Sequence, residues 1–427
     1  MKTNSNYRWF ILGVCFLMLL INSGIVLSFG IFLPVLREQF AWTATHVSLV
    51  LASFMLMQGL FSPKIGSLID RHGPRKVIIA GIIMFGVILA ALSQINAFWQ
   101  FAVLYGFLAA IAYTTTTLLT NAVLISGWFS ENRGLALGIS MSGFPLGPLF
   151  MTPVLTFFLL NYDWRTAILA AAGIVLVILF PLAFLLLRDG PGHTAIKNSL
   201  TQPDKQADSS PNWTILTLLS DPRYRRLAGA YFTCGFSMAL IMAHFHNFGQ
   251  NIGFDLATTA QAFSLMSLLA FIGTITSGKM SDILERKVIL AIIYFVRGLS
   301  FIIFAFAASI EMFYLGATLF GIFWTATGPL TSALSGECWG LESMGKTFGA
   351  VFLGHQIGAS IGPILGGMSF DATGSYRWIF LFTALILISG SLAVKGLNVV
   401  PDNSPSKSMV FCTMPSANGG QNSSRNC

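Results

Sequence analysis

Long apolar runs separated by short polar breaks occupy almost the whole chain. A transmembrane helix needs about 20 apolar residues at roughly 1.5 Å rise each. Twelve runs meet that length, over approximately 9–33, 44–68, 76–95, 98–124, 134–160, 165–187, 226–252, 258–281, 288–308, 311–334, 345–369 and 376–398. They are continuous in Leu, Ile, Phe and Ala, whereas a closed barrel would show alternating strands of about ten residues. The pattern predicts an all-α integral membrane protein with twelve transmembrane helices. The first run is too long for a signal peptide and lacks a small-residue cleavage site before a soluble domain, so it is expected to stay as a helix.

The polar breaks divide the chain. Residues 1–187 and 223–398 each hold six runs, and 188–222 forms a polar linker containing Gly190-Pro191-Gly192 and Ser209-Ser210-Pro211. Residues 399–427 are rich in Ser, Asn, Gly and Pro and are expected to be a disordered tail.

Composition and charge narrow the class. Hydrophobic residues make up 55% and charged residues 9% of 427 positions, against about a quarter charged in soluble chains. Soluble enzymes, nucleic-acid binders and secreted disulfide scaffolds are excluded. The net charge of +8 is organised by side: twenty of the 24 Lys and Arg fall at one end of the runs. Three (Arg37, Arg165, Arg377) fall at the other, and Arg297 lies inside a run. The positive-inside rule places both termini and the linker in the cytoplasm, and the expected setting is a bacterial inner membrane, as a monomer. Five cysteines lie far apart with no metal-ligand spacing, and no nucleotide-binding loop is present, so no metal or cofactor is expected.

The two halves repeat. Gly66-Ser-Leu-Ile-Asp70-Arg71-His-Gly73-Pro-Arg75-Lys76 is echoed by Gly278-Lys-Met-Ser-Asp282-Ile-Leu-Glu-Arg286-Lys287, with the aspartates 212 positions apart. Gly127-Trp128-Phe129 through Gly138 and Gly143 returns as Cys338-Trp339 through Gly349 and Gly354, displaced by 211. Matches at one offset indicate a six-helix unit duplicated in parallel, an architecture in which substrate binds between the halves near mid-membrane.

The Gly66–Lys76 motif resembles the signature loop between the second and third helices of the major facilitator superfamily. The run from Trp128 through Arg133 and Gly138 to Gly143 is similar to the fifth-helix signature of its monocarboxylate carrier and oxalate–formate exchanger branch. The resemblance covers the whole chain except linker and tail. It implies that Asp70 touches the start of the eleventh helix when the carrier faces outward. Arg71, Arg75, Lys76 and, in the next cytoplasmic loop, Arg133 are placed to pair with carboxylates or lipid phosphates, or simply to set topology. Asp282 and Arg286 form the second copy of the motif. Leu284 and Glu285 replace its basic–Gly pair, so a weaker second gate is expected.

All 16 acidic residues fall at loops or helix ends. An ionisable group at mid-membrane is costly and a functional candidate. Those remaining inside are Arg297, His244, His246 and His355, which favours an anionic solute. Arg297 either contacts the anion or bonds to neighbouring carbonyls and hydroxyls; the resemblance puts its helix at the periphery. His355 stands in the cavity-lining eleventh helix, where the oxalate exchanger's motif carries a lysine. It is a candidate for anion binding and proton coupling, and His244 is a second candidate. The threonines at 114–117 are expected to bond their own backbone, with Tyr113, Thr117 and Thr120 forming one polar stripe. Asn22, Gln356 and Trp324 complete the candidate lining. Animal monocarboxylate carriers bear an arginine at the position matching Thr274, so the resemblance departs there.

These features predict a secondary active transporter of a small organic anion, a mono- or dicarboxylate, by proton symport or anion exchange. One alternative is a carrier of a larger polar metabolite, such as a polycarboxylate siderophore or peptide-like compound. Another is a non-transporting membrane sensor. An enzyme is not expected, because no nucleophile, acid/base pair or metal-ligand cluster is present.

Overall fold

The computed structural model describes residues 6–42, 44–190 and 213–398. The expected disordered tail and the centre of the linker lie outside the described residues. Twelve helices are long and apolar enough to cross a membrane. In the first half these are α1 (Tyr7–Leu27), α2 (Leu49–His72), α3 (Pro74–Leu92), α4 (Phe98–Trp128), α5 (Arg133–Asn161) and α6 (Trp164–Leu186). The second half holds α7 (Pro222–Asn251), α8 (Thr258–Met280), α9 (Arg286–Ala305), α10 (Ile310–Trp339), α11 (Met344–Thr373) and α12 (Arg377–Lys395). The protein is a multi-pass, all-α membrane protein. Large side chains such as Phe150, Val177 and Leu385 are exposed on its outside, as a hydrocarbon-facing surface requires.

The first helix is shorter than its apolar run. After Leu27 the chain takes a 3-10 turn over Ser28–Phe32 and then a short helix, Leu33–Phe40, with proline in its first turn. Proline suits a helix start, where its missing N–H would be unpaired in any case, and Pro34 takes that place in the second piece.

Contact between the halves is made at the end where the basic residues cluster, hereafter the basic end. There α2 crosses α11 and α5 crosses α8. Ser62, Gly66 and Asp70 are spaced by four on α2, and Gly345 and Gly349 on α11. Thr274 and Gly278 on α8, and Asp282 just beyond its end, face Gly134 and Gly138 on α5 at the same spacing. A Cβ on Gly66 would fall 2.0 Å from the Gly345 carbonyl oxygen, and one on Gly278 would fall 2.4 Å from that of Gly134. Both crossings therefore bring backbones together in a way only small residues permit.

Two helices are interrupted. α4 unwinds at residues 115–117 and α10 at 324–326, positions related by the internal repeat. The loss of helix at the first break is compensated locally. The hydroxyls of Thr114, Thr115, Thr116 and Thr117 donate to the carbonyls of Ala110, Ala112, Tyr113 and Thr114. A Cβ on Gly81 of α3 would lie 1.6 Å from the Thr115 hydroxyl, so a glycine makes room for the break. In α10, Thr325 bonds Thr274 of α8 through their hydroxyls at 2.6 Å. Thr274 thus serves the break in α10.

Candidate functional site

Both breaks open onto a cavity of about 250 Å³ between the halves. Beyond each break the helix resumes, at Leu118 and at Thr327, and runs toward the basic end. Thr117 and Leu118, and Thr327 and Gly328, line the cavity. Two half-helices thus present their N-termini, the positive ends of their dipoles, to the same space at mid-membrane.

The polar side chains that reach the cavity carry donors. His355 is 6% exposed, its Nδ1 3.0 Å from the Gln356 amide oxygen, with its ring stacked on Phe352 at 5.5 Å. Gln356 in turn donates across the halves to the Met55 carbonyl at 3.5 Å. The indole N–H of Trp324 is buried and without a partner among the described residues. An indole can only donate, and a buried donor without an acceptor costs free energy until a ligand supplies one. Gln58, Tyr113, Thr117 and Thr327 add amide and hydroxyl groups. No lining residue is acidic.

At the basic end, two carboxylates tie the halves together. Asp70 accepts from the backbone N–H groups of Gly345 and Lys346 at 2.9 and 2.8 Å, the first turn of α11. Asp282 accepts from Gly134 and Leu135 at 2.7 and 2.9 Å, the first turn of α5. Each carboxylate satisfies N–H groups that a helix start leaves unpaired and complements its dipole. The weakness expected of the second gate does not extend to these bonds, because they require only the carboxylate and the helix start. Arg286 stands 3.7 Å from Asp282 and also pairs with Glu337.

The other motif residues act within a half or along its rim. Gly73 has φ +88°, a left-handed conformation that starts α3 at Pro74. Arg75 fastens α3 to α6: its side chain donates to the Leu187 and Phe184 carbonyls, and its backbone N–H to Asp189. Arg71 is exposed. Arg133 donates to the Ser126 hydroxyl at 2.9 Å and reaches Met344 Sδ at 3.2 Å, its counterpart position at the start of α11. Where the linker meets α7, Asp221 accepts from Arg223 and from the Trp339 indole at 2.8 and 2.9 Å. Burial pushes the Asp221 carboxyl up, but the Arg223 and Trp339 hydrogen bonds outweigh it and hold it below the ordinary carboxylate value.

The Major Facilitator Superfamily model matches residues 12–243 and 227–409. The chain belongs to the Major Facilitator Superfamily. Within it, the chain is 25% identical over 406 residues to the MFS-type transporter YcxA of Bacillus subtilis, covering 94% of this chain and 95% of the relative. It is 24% identical to monocarboxylate transporter 13 of Rattus norvegicus, covering 91% and 88%. Among solved structures of the superfamily, the E. coli fucose:proton symporter superposes with a TM-score of 0.71 at 16% identity, covering 91% of this chain and 98% of that one. The human organic anion transporter MFSD10 gives 0.70 at 15%, covering 91% and 99%. These two likenesses concern the fold.

Of the candidate substrate residues, His355, Gln356, Tyr113, Thr117 and Trp324 line the superfamily cavity; three others lie elsewhere. Arg297 is fully buried behind the cavity wall. Its guanidinium donates to Cys234 Sγ at 3.1 Å, to the Cys234 carbonyl at 3.3 Å and to Ser237 Oγ at 2.6 Å, and lies 5.0 Å from the Phe320 ring centroid. No carboxylate pairs with it among the described residues, and Cys234 stands between it and the cavity. His244 lies nearer the opposite end, held by the Tyr376 hydroxyl at 3.2 Å and the Pro363 carbonyl at 2.9 Å, and lines a separate cleft. Asn22 is buried in α1, and neither polar atom of its side chain has a partner.

Thr120 does not join Tyr113 and Thr117, because the break at 115–117 resets the helical register between them. The breaks and the lining residues Gln58, Cys234 and Thr327 were not anticipated. A residue-by-residue match to the internal repeat would have paired the two breaks.

Proposed function

We propose that this superfamily member is a secondary transporter of small organic anions, working by alternating access. The observation that carries the reading is the cavity itself. It offers a histidine, an unpartnered indole N–H and two half-helix N-termini, with no acidic side chain on its wall. Arg297 adds a positive charge one residue behind the lining, with no carboxylate paired to it among the described residues, and in a low-dielectric interior that field reaches the cavity. An anion is the solute whose charge completes this set. The similarity to monocarboxylate transporter 13 supports the same reading.

The basic end is the cytoplasmic one by the distribution of Lys and Arg, so both termini lie in the cytoplasm. With the halves joined at Asp70 and Asp282, the conformation described is closed to the cytoplasm. The donors that hold it closed must part for the cavity to open inward. Proton symport or exchange against another anion supplies the energy, and His355 is the lining group that would exchange a proton. A polycarboxylate fits less well: each further carboxylate needs its own donors, and among the described residues His355 is the only basic side chain on the wall.

The test is the thermal stability of the purified protein in detergent across mono-, di- and tricarboxylates and the matching neutral amides. Monocarboxylates are expected to raise the melting temperature in a saturable way, because a ligand bound to the native state alone stabilises it. Equal stabilisation by acids and amides would overturn the anion reading.

A further inference from the structure

The cavity is polar at one level and apolar at another. The depth of each lining residue follows from its place along its helix. On α7, which starts at the basic end, Cys234, Met238 and Met242 recur every four residues along one face, so the stripe climbs from the polar level about 12 Å toward the opposite end. On α2, which runs the other way, Leu51 and Phe54 precede Gln58. On α4, Tyr105 precedes Tyr113 and Thr117.

The donors therefore share a middle level with the half-helix N-termini. Met141 and Phe352 lie below them, eight residues into α5 and α11, and close the floor. Toward the opposite end the wall turns to rings and thioethers. Phe29 stacks on Tyr105 at 4.0 Å and 24°, and Phe54 stacks on Tyr105 at 4.9 Å and 17°. Met238 and Met242 line the same cavity from the other half.

We propose that the substrate is an aryl-alkyl monocarboxylate, held with its carboxylate at the Thr117–Thr327–His355 level and its ring at the level of Phe29, Tyr105 and Phe54. This rests on the anion reading above and names the class within it. A row of near-parallel rings offers faces and edges for one more ring, and methionine sulfurs favour aromatic neighbours over aliphatic ones. Phe54 and Gln58 are one turn apart on α2, about 6 Å along the axis, whereas Tyr105 and Thr117 are about 18 Å apart on α4. The substrate's ring therefore packs against Phe54, whose own ring lies between Tyr113 at 5.7 Å and Tyr105 at 4.9 Å, and the alkyl spacer spans from there to the donors. One carboxylate finds donors at the middle level. A second carboxylate, or a run of hydroxyls, would meet Phe29, Leu51 and Met242 and find little to bond. Phe54 and Tyr105 are accordingly specificity-determining residues.

Binding of four probes to the full chain in detergent tests this: acetate, hexanoate, 3-phenylpropanoate and 3-phenylpropanamide, each measured by calorimetry. The expected order has 3-phenylpropanoate tighter than acetate by about tenfold or more, and tighter than hexanoate by about threefold or more. Phe54→Leu keeps an apolar group and removes the ring, and Tyr105→Leu does the same from the neighbouring helix. In either variant the preference for 3-phenylpropanoate over hexanoate is expected to collapse. Two variants guard against one failing to fold. Equal affinity of the native protein for hexanoate and 3-phenylpropanoate overturns the aryl assignment and leaves the anion reading standing. Equal affinity for 3-phenylpropanoate and its amide overturns the anion reading, and with it the monocarboxylate class named here. Binding of none of the four overturns the assignment as well.

Discussion

Asp70 and Asp282, 212 positions apart, do the same thing in opposite directions: each caps the first turn of a helix belonging to the other half. Four charge-assisted backbone hydrogen bonds across the crossings hold the basic end shut. A hydrogen bond to a charged group contributes about 1.5–3 kcal/mol, so losing one carboxylate shifts the open–closed balance by about tenfold or more. Asp70→Asn and Asp282→Asn are expected to increase accessibility from the basic end, read by labelling of Met141→Cys on the cavity floor. The two variants should have effects within about threefold of each other, because each removes the charge and one of the two acceptor oxygens and keeps the other. A much weaker effect at Asp282 would mean that its salt bridge to Arg286 already draws the carboxylate away.

Arg297 is a buried cation whose partners are a thiol, a hydroxyl and a carbonyl. Burying such a charge is costly, and its removal strands no partner, because the Ser237 hydroxyl still donates to the Cys234 carbonyl and the Cys234 thiol still meets the Thr327 hydroxyl. Arg297→Met is therefore expected to leave the melting temperature unchanged or raised while weakening anion affinity by about tenfold. A destabilised variant with native anion affinity would assign Arg297 to structure alone.

His355 lines the cavity between Tyr231 at 4.7 Å and Phe352 at 5.5 Å. His355→Gln keeps a donor but cannot carry a proton. Native uptake is expected to weaken as pH rises, and the variant should show lower uptake with a flat profile. If the glutamine leaves both rate and pH profile unchanged, His355 takes no part in coupling.

Asp221 supplies a pH signature outside the membrane. Its carboxyl is held below the ordinary value by Arg223 and Trp339 despite burial, so its contribution to stability is present above the unfolded carboxylate range. That contribution is lost as pH falls through the depressed value. Asp221→Asn should lower the melting temperature at neutral pH, and the gap from the native protein should close progressively below about pH 4. A gap independent of pH would assign the loss to the altered helix start of α7 and not to the charge.

The helices were legible because lipid imposes a length that each run obeys separately. The gate was legible because the motif repeats at one offset. The cavity was less so, and Arg297 shows why: periodicity says that a residue lies inside the membrane, not which neighbour its helix turns it toward. His244 and His355 look alike in sequence, yet one faces Pro363 and Tyr376 and the other the cavity. The breaks in α4 and α10 left no trace of the usual kind, since no proline falls within residues 115–117 or 324–326. The threonines that satisfy the first break are as compatible with a continuous helix as with an interrupted one.

The central claim is that the cavity between the halves carries an organic anion across the membrane. Counterflow in proteoliposomes tests it most directly: vesicles loaded with an unlabelled monocarboxylate, 3-phenylpropanoate first and hexanoate second, receive the labelled acid outside. Transient, saturable accumulation of label, slowed by Asp70→Asn and abolished when the loaded acid is replaced by its neutral amide, is the predicted result. Label that never exceeds the level in empty vesicles, for every monocarboxylate tried, would contradict the claim.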